Sequence, residues 1–280
     1  MTNYKKKIIS ERETIFKDEL NMPHAYGAAG IKGSGVVVKD SITGKIYHKG
    51  SNSVLVPGAL ITAKAHIPRL NLPVKLPSYN SLLNLDNTTS EEQPIDQPRQ
   101  IWLFCAGTNG GQKGSSIIYP VDRSKWIPKE SLIPFRYCEK GSDIPSTLRD
   151  TYFGRKEYAD YIAYYFKTFV GDPTCTARYK DGTIITPTMY TDSNVDPEIV
   201  VEIEFKITND DCRDWFRVNS PGGINDAHVN TMSLLSAWYT IGEDGYKYFQ
   251  DIQPITKFNF KTEDLDELDK GLDIIYYLYY

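Results

Sequence analysis

Gly35-Val-Val-Val-Lys-Asp-Ser-Ile-Thr-Gly-Lys-Ile-Tyr47, followed by Ser51-Asn-Ser-Val-Leu-Val-Pro-Gly-Ala-Leu-Ile-Thr-Ala-Lys64, is the stretch on which the fold of this chain turns. Three successive valines favour an extended backbone, because β-branched side chains suit a pleated surface better than a helix. Thr43-Gly44 supplies a tight turn, since glycine takes positive φ freely. A returning strand follows. Pro57-Gly58 then breaks the extended chain, and Ala59 to His66 carries helix-forming residues until Pro68 ends them.

Working outward, the same grammar of short strands and Gly/Pro turns recurs. Val201, Ile203, Phe205 and Ile207 alternate with Glu202, Glu204 and Lys206, the pattern of a half-buried strand. Ile101-Trp-Leu-Phe-Cys-Ala106 is continuously apolar and reads as a strand buried on both faces. Further strands are expected over Tyr158–Val170 and Leu272–Tyr280, the last finishing a sheet, and Asn230–Thr240 is a mostly apolar segment containing Trp238. Asp181-Gly182 reads as a hairpin between Thr176–Tyr179 and Thr183–Thr186, and Gly242-Glu-Asp-Gly245 as a hairpin into Tyr246–Phe249. The spacing predicts a mainly β fold, a β-sandwich or jelly-roll-like domain.

Residues 1–34 read as a short N-terminal helix (Ile8–Leu20, stopped by Pro23) and a flexible arm. Residues 35–280 read as the β-sandwich-like domain, with one internal helix and long loops at 67–99 and 108–134. Such loops exceed what compact domains leave without purpose.

Composition narrows the classes. The 280 residues suffice for a substantial core. Twenty tyrosines against eleven phenylalanines favour half-buried strand faces and subunit contacts. A net charge of −4 with no basic stripe argues against sequence-specific nucleic-acid binding, and Lys5-Lys6-Lys7 reads as a solvated tail. Glu263–Asp269 reads as a solvated helix or turn. No run of about 18 apolar residues announces a membrane span, and Met1–Lys7 carries no secretory pattern. Cys105, Cys138, Cys175 and Cys212 share no flanking motif and form no Cys-x-x-Cys pair, so they are expected as free, mostly buried thiols.

Candidate chemistry is thin. Gly107-Thr-Asn-Gly-Gly-Gln-Lys-Gly-Ser-Ser116 mimics a phosphate loop, but Lys113 follows Gln112 and precedes Gly114, where that motif needs Gly before and Ser or Thr after. It reads as a loop crossing. His24, His48, His66 and His228 lack metal-ligand spacing, and no Gly-x-Ser-x-Gly elbow exists. Asp172, Asp192, Asp196, Asp210, Asp211, Asp214 and Asp226 fall in loop-like stretches where Asp is an ordinary turn residue. Asn209–Asp214 lacks the alternating spacing of a Ca²⁺ loop. The expectation is no catalytic residue, no cofactor and no metal site. Half of Tyr164-Tyr165-Phe166 and Tyr276-Tyr277 is expected in the core and half on a subunit interface.

The segment Val36–Lys64, through Val37, Val38, Thr43, Gly44, Ser51, Asn52, Val56, Gly58, Leu60 and Ala63, resembles the opening of structural proteins of large tailed bacteriophages. Ile101–Gly111, Leu132-Ile-Pro-Phe135 and Pro221–Ala227 are similar in place and character to later elements of that group, although Asp226 stands where the group carries Glu. The resemblance spans roughly residues 35–240. It implies a virion building block of neck, tail or baseplate, made in the host cytoplasm and arranged as a homo-oligomeric ring beside other virion proteins. Residues 1–30, 67–99 and 108–134 would be its arms. A second reading is a host-surface or carbohydrate-binding sandwich at the tail tip, which requires an exposed aromatic cluster near Asn, Asp and Gln. A wall-degrading hydrolase is the third.

Overall fold

The computed structural model describes residues 33–66, 78–89, 93–94, 97, 99–178, 183–184, 198–264 and 271–279. The N-terminal helix at Ile8–Leu20 and the Asp181-Gly182 turn lie outside these residues. Two antiparallel sheets form the body. The first has five strands in the order β2 (Ile46–Ser51), β1 (Gly33–Asp40), β13 (Leu272–Tyr279), β10 (Glu198–Ile207) and β9 (Thr174–Arg178). The second runs β3 (Ser53–Val54), β12 (Lys247–Asp264), β11 (His228–Ile241), β4 (Gln100–Gly107), β8 (Tyr161–Thr168) and β6 (Arg136–Glu139). Off that path, β5 (Leu132–Ile133) joins β4 and β7 (Tyr152–Glu157) joins β8. The fold is mainly β and sandwich-like, as the turn spacing predicts.

The opening hairpin forms where expected, with a register shift between Val38 and Lys39. Its turn is organised by Asp40, whose Oδ1 accepts the amides of Ile42 (2.9 Å) and Thr43 (2.7 Å) while Oδ2 accepts the Tyr47 hydroxyl. This is an Asx-type turn in which Gly44 takes φ 68°. The last strand does not finish a sheet. β13 lies at the centre of five, paired along its length with β1 and β10.

Between the sheets, Val36, Val38, Ile203, Phe205, Ile207, Ile274 and Tyr276 meet Phe104, Met232, Leu234, Phe258 and Phe260. Phe205 is held in a ring cluster, 4.5 Å from Phe104 and 5.9 Å from Tyr276 between centroids. The eight-stranded sheet has a second covered face. There Leu103, Cys105, Ala163, Tyr165, Leu235 and Ala237 pack under Tyr79, Leu83, Leu85 and Ile127. Burial on both faces explains why residues 101–106 are continuously apolar while β10 alternates.

The covering layer is built from α1 (Val56–His66), α2 (Tyr79–Leu83) and the 119–132 loop. Pro57 and Gly58 do not break the chain before the helix; they belong to its first turn, where proline's missing N–H has no cost. Gly58 lies against β12 so closely that a Cβ would stand 2.4 Å from the Ile255 carbonyl oxygen. The 67–99 stretch holds α2, opened by a Ser78/Ser81 capping box. Its Asn80 takes the place of a ladder partner for β12, donating to Phe249 O (2.8 Å) and accepting from Ile252 N (2.7 Å). Between those residues Asp251 takes φ 46° and Arg99 donates to its carbonyl (2.6 Å) and its carboxylate, pinning the bulge. Together with α3 (Arg213–Asn219), the described residues hold three α-helices rather than one.

Other expectations need correction. Tyr164, Tyr165 and Phe166 are all buried, because β8 is covered on both faces, so none of them supplies an outward interface. Tyr276 is buried, Tyr277 half-buried. Glu263 and Asp264 extend β12, and Glu263 is buried, so the start of the acidic run is strand rather than solvated turn. Cys105 and Cys212 are buried, Cys138 is half-buried and Cys175 exposed. No helix among the described residues is long and apolar enough to cross a membrane.

His48 on β2 stacks on Phe258 (5.9 Å, 15°), and its buried Nε2 has no hydrogen-bond partner among the described residues. Burial holds its pKa down to about 4, against an ordinary value near 6.5. The native state therefore binds fewer protons than the unfolded chain between these values. Stability is complete above pH 6.5, falls as the pH drops towards 4, and flattens below, by about 3 kcal/mol at most. Urea titrations from pH 7.5 to 4 should show that loss in the wild type and its reduction in His48→Phe; parallel curves for both would refute the assignment.

Candidate functional site

The phosphate-loop mimic is a packing element. A Cβ on Gly110 would stand 2.0 Å from the Asn230 carbonyl oxygen, so the loop needs glycine to lie against β11. Asn230 fixes it from the other side, accepting the Gly110 amide (2.7 Å) and donating to Gly111 O (3.1 Å). Lys113 pairs with Asp226, which also accepts the Ser220 hydroxyl (2.8 Å). The basic residue is thereby held by a carboxylate of this chain.

The carboxylates singled out in the sequence do not converge. Asp192 and Asp196 lie outside the described residues, Asp172, Asp210 and Asp214 are exposed, and Asp211 is buried. Asp211 accepts Lys167 Nζ (2.6 Å), the Tyr152 hydroxyl (2.6 Å) and Thr208 N (2.7 Å). Both carboxylate oxygens are occupied by hydrogen-bond donors, one of them a lysine ammonium, which makes Asp211 the centre of a buried structural knot. Among the described residues no three His, Cys, Asp or Glu side chains stand where they could share a metal ion. His228 Nδ1 contacts Asp226 O (2.7 Å), while His24 falls outside the described residues.

Two surfaces not expected from the sequence stand out. One is an aromatic platform of half-buried Tyr137, Tyr158, Tyr161 and Trp215. Tyr158 and Tyr161 stack at 4.5 Å, and Tyr161 meets Tyr137 at 5.2 Å and Trp215 edge-on at 5.5 Å. It is assembled from β6, the β7–β8 hairpin and α3, and no local run of sequence announces it.

The other is a cleft of about 260 Å³ between β7, residues 143–149, the turn after α2 and the tip of the β11–β12 hairpin. Arg155 pairs with Asp86 and Glu157, and Arg149 pairs with Asp143 at 2.7 Å. Tyr164 donates to Asp143 and Tyr248 to Asp244. The Arg149 guanidinium lies 4.3 Å from the Tyr246 ring centre. Burial first, then the Asp244 carboxylate, pushes the Tyr248 phenol up to about 12, so it stays a neutral donor. The Asp244 hydrogen bond from Tyr248 leads in holding its carboxyl below the usual range, so it stays an anionic acceptor. Of these residues, the sequence marked the hairpin at Gly242–Gly245 with the strand Tyr246–Phe249, and Tyr164 within a strand, but nothing that brings them together.

A third feature is an apolar loop tip. Gly111 and Ile118 form an isolated bridge, Gln112 N donates to Ile117 O (3.0 Å) and Tyr119 N to Gly110 O (2.8 Å). Asn259 ties the base, donating to Tyr119 O (2.9 Å). This closed loop presents Ile117 at 52% exposure, Ile118 at 43% and Tyr119 at 46%.

No family model, no curated protein and no solved structure matches this chain.

If the 107–116 loop is held by packing, Gly110→Ala should cost about 3 kcal/mol or more in urea unfolding, because backbone must move. Lys113→Ala breaks only a part-exposed ion pair and should cost under about 1 kcal/mol. Equal effects of the two variants would contradict this account.

Proposed function

We propose that the chain is a structural subunit of a tailed-phage virion, building a ring or connector in the neck, tail or baseplate. The observation that carries the contact is the Ile117-Ile118-Tyr119 tip. Three successive large apolar side chains are held in water by a loop closed on itself and tied to β12. A fixed conformation lowers the ordering cost of association, which favours a docking element over a random loop. The sequence resemblance to phage structural proteins supplies the virion. The β-sandwich supplies the rigid body that such a ring needs.

The arms are reduced in this reading. Most of 108–134 runs along its own sheet. Thr108 N bonds Ser131 O, Val56 N bonds Arg123 O, and Arg123 Nε donates to Val54 O at 2.8 Å. Its apolar tip is exposed, as are most of residues 112–125, while Ile127 is fully buried. A ring joins two different faces of each subunit, so the tip would seat on a different surface of the neighbour.

Native mass spectrometry and negative-stain imaging should find a closed oligomer of the wild type. The Ile117→Asp/Ile118→Asp double variant should be monomeric, with unchanged circular dichroism and melting temperature, since both residues are exposed. A wild-type chain that stays monomeric and is missing from purified particles would contradict the proposal.

A further inference from the structure

We propose that the cleft between β7 and the β11–β12 hairpin tip binds one neutral sugar ring, the end residue of a glycan. This goes beyond the assembly reading and stands on different residues.

The lining balances its charge. Asp86, Asp143 and Asp244 share the lining with Arg149, Arg155 and Lys247, three of each sign, although the Lys247 ammonium lies over the Trp102 and Tyr239 rings. Arg155 is already paired with Asp86, and Arg149 with Asp143. An anionic ligand would have to displace these carboxylates, and a cationic one the guanidinium groups. At these two pairs neither gains from the site as it is built. A polyhydroxylated neutral ring loses nothing to charge and uses both kinds of group, because each hydroxyl donates to a carboxylate and accepts from a guanidinium.

Hydrogen-bonding capacity remains after the internal pairs are made. Asp86 uses Oδ2 for Arg155 and for Glu157 N (2.9 Å), and among the described residues nothing donates to Oδ1. Asp244 accepts one bond at each oxygen, from Tyr246 N (3.1 Å) and Tyr248, where a carboxylate can take about four. The same walls carry apolar surface from Tyr246, Tyr248 and Phe249 for the C–H faces of a sugar. Few, oriented polar groups beside aromatic rings are how small-molecule sites fix a ligand. A volume of about 260 Å³ falls below the range for drug-sized ligands and matches one ring rather than a chain.

The bonds that shape the cleft hold it ready. Asp143 fastens Arg149 and Tyr164 at once, Asp86 fastens the α2 turn to β7, and Gln250 holds that turn through Asn87 O (3.0 Å). Little reorganisation is required on binding, although one ring makes few contacts, so affinity in about the millimolar range is expected.

The test is saturation-transfer and ¹H–¹⁵N NMR of the full chain with a panel of neutral hexoses and N-acetylhexosamines, inorganic phosphate and a quaternary ammonium salt. Binding of at least one neutral sugar is expected, with shifts at Asn87, Gly154 and Gly245. Asp244→Asn, at an exposed hairpin tip, should weaken binding several-fold, and Asp86→Asn should do the same. The Ile117→Asp/Ile118→Asp variant should bind as the wild type does, so that failure of assembly and failure of this site are told apart. The proposal is overturned if no neutral sugar binds, if phosphate or the ammonium salt binds in its place, or if binding survives both aspartate variants and is lost in Trp215→Ala at the aromatic platform.

Discussion

The carboxylate of Asp211, with no exposed side-chain surface, is the constraint on which the two-sheet arrangement rests. Its donors come from both sides of the molecule. Lys167 (β8) and Tyr152 (β7) reach it from the eight-stranded sheet, while Thr208 N brings in the end of β10 from the five-stranded sheet. Lys167 also donates to Lys206 O at 2.7 Å, and Arg136 closes the group through the Tyr152 hydroxyl at 3.0 Å. Burial and the Asp211 charge push the Tyr152 phenol upward, so it stays protonated as a donor. Removing one member of such a buried pair leaves an uncompensated charge and costs about 3–5 kcal/mol, whereas apolar packing of the same volume can be as stable. The pair therefore specifies how the sheets dock more than how strongly they hold.

From that docking the rest follows. With β10 fixed over β8, Phe205 lies against Phe104, and the aromatic layer closes between the sheets. The opposite face of the eight-stranded sheet then needs a cover, which α2 and the 119–132 loop supply through Tyr79, Leu83 and Ile127. Anchoring the 119–132 segment through Ile127 and Leu132 leaves Ile117–Tyr119 exposed. Bringing the α2 turn against β7 creates one wall of the cleft through Asp86 and Arg155. Both proposed surfaces are thus consequences of how the buried layers are covered.

Much of the fold was legible where one physical rule dominates locally. β10 alternates because one face meets the core, and β4 is continuously apolar because both faces are covered. Elements that break a local rule were not legible. β7 reads Tyr-Phe-Gly-Arg-Lys-Glu, and its Gly154 is required because a Cβ would strike the Phe166 ring, a tertiary reason with no sequence signal. α3 starts from Cys212 at φ 67° with no capping side chain, so the usual start signal is missing. β13 reads as a terminal strand by position, yet it is central because β1 and β10 both choose it. The cleft was the least legible feature, since its lining comes from residues 85–87, 143–155, 164 and 244–249, and proximity of that kind is set only by the finished fold.

The most direct measurement is hydrogen exchange of backbone amides in wild type and Asp211→Asn, compared residue by residue. If this carboxylate couples the sheets, protection should fall by a similar amount at Phe166 in β8, Phe205 in β10 and Tyr276 in β13, none of which hydrogen-bonds the substituted side chain. A loss confined to residues 208–212, with the two sheets as protected as before, would contradict the account.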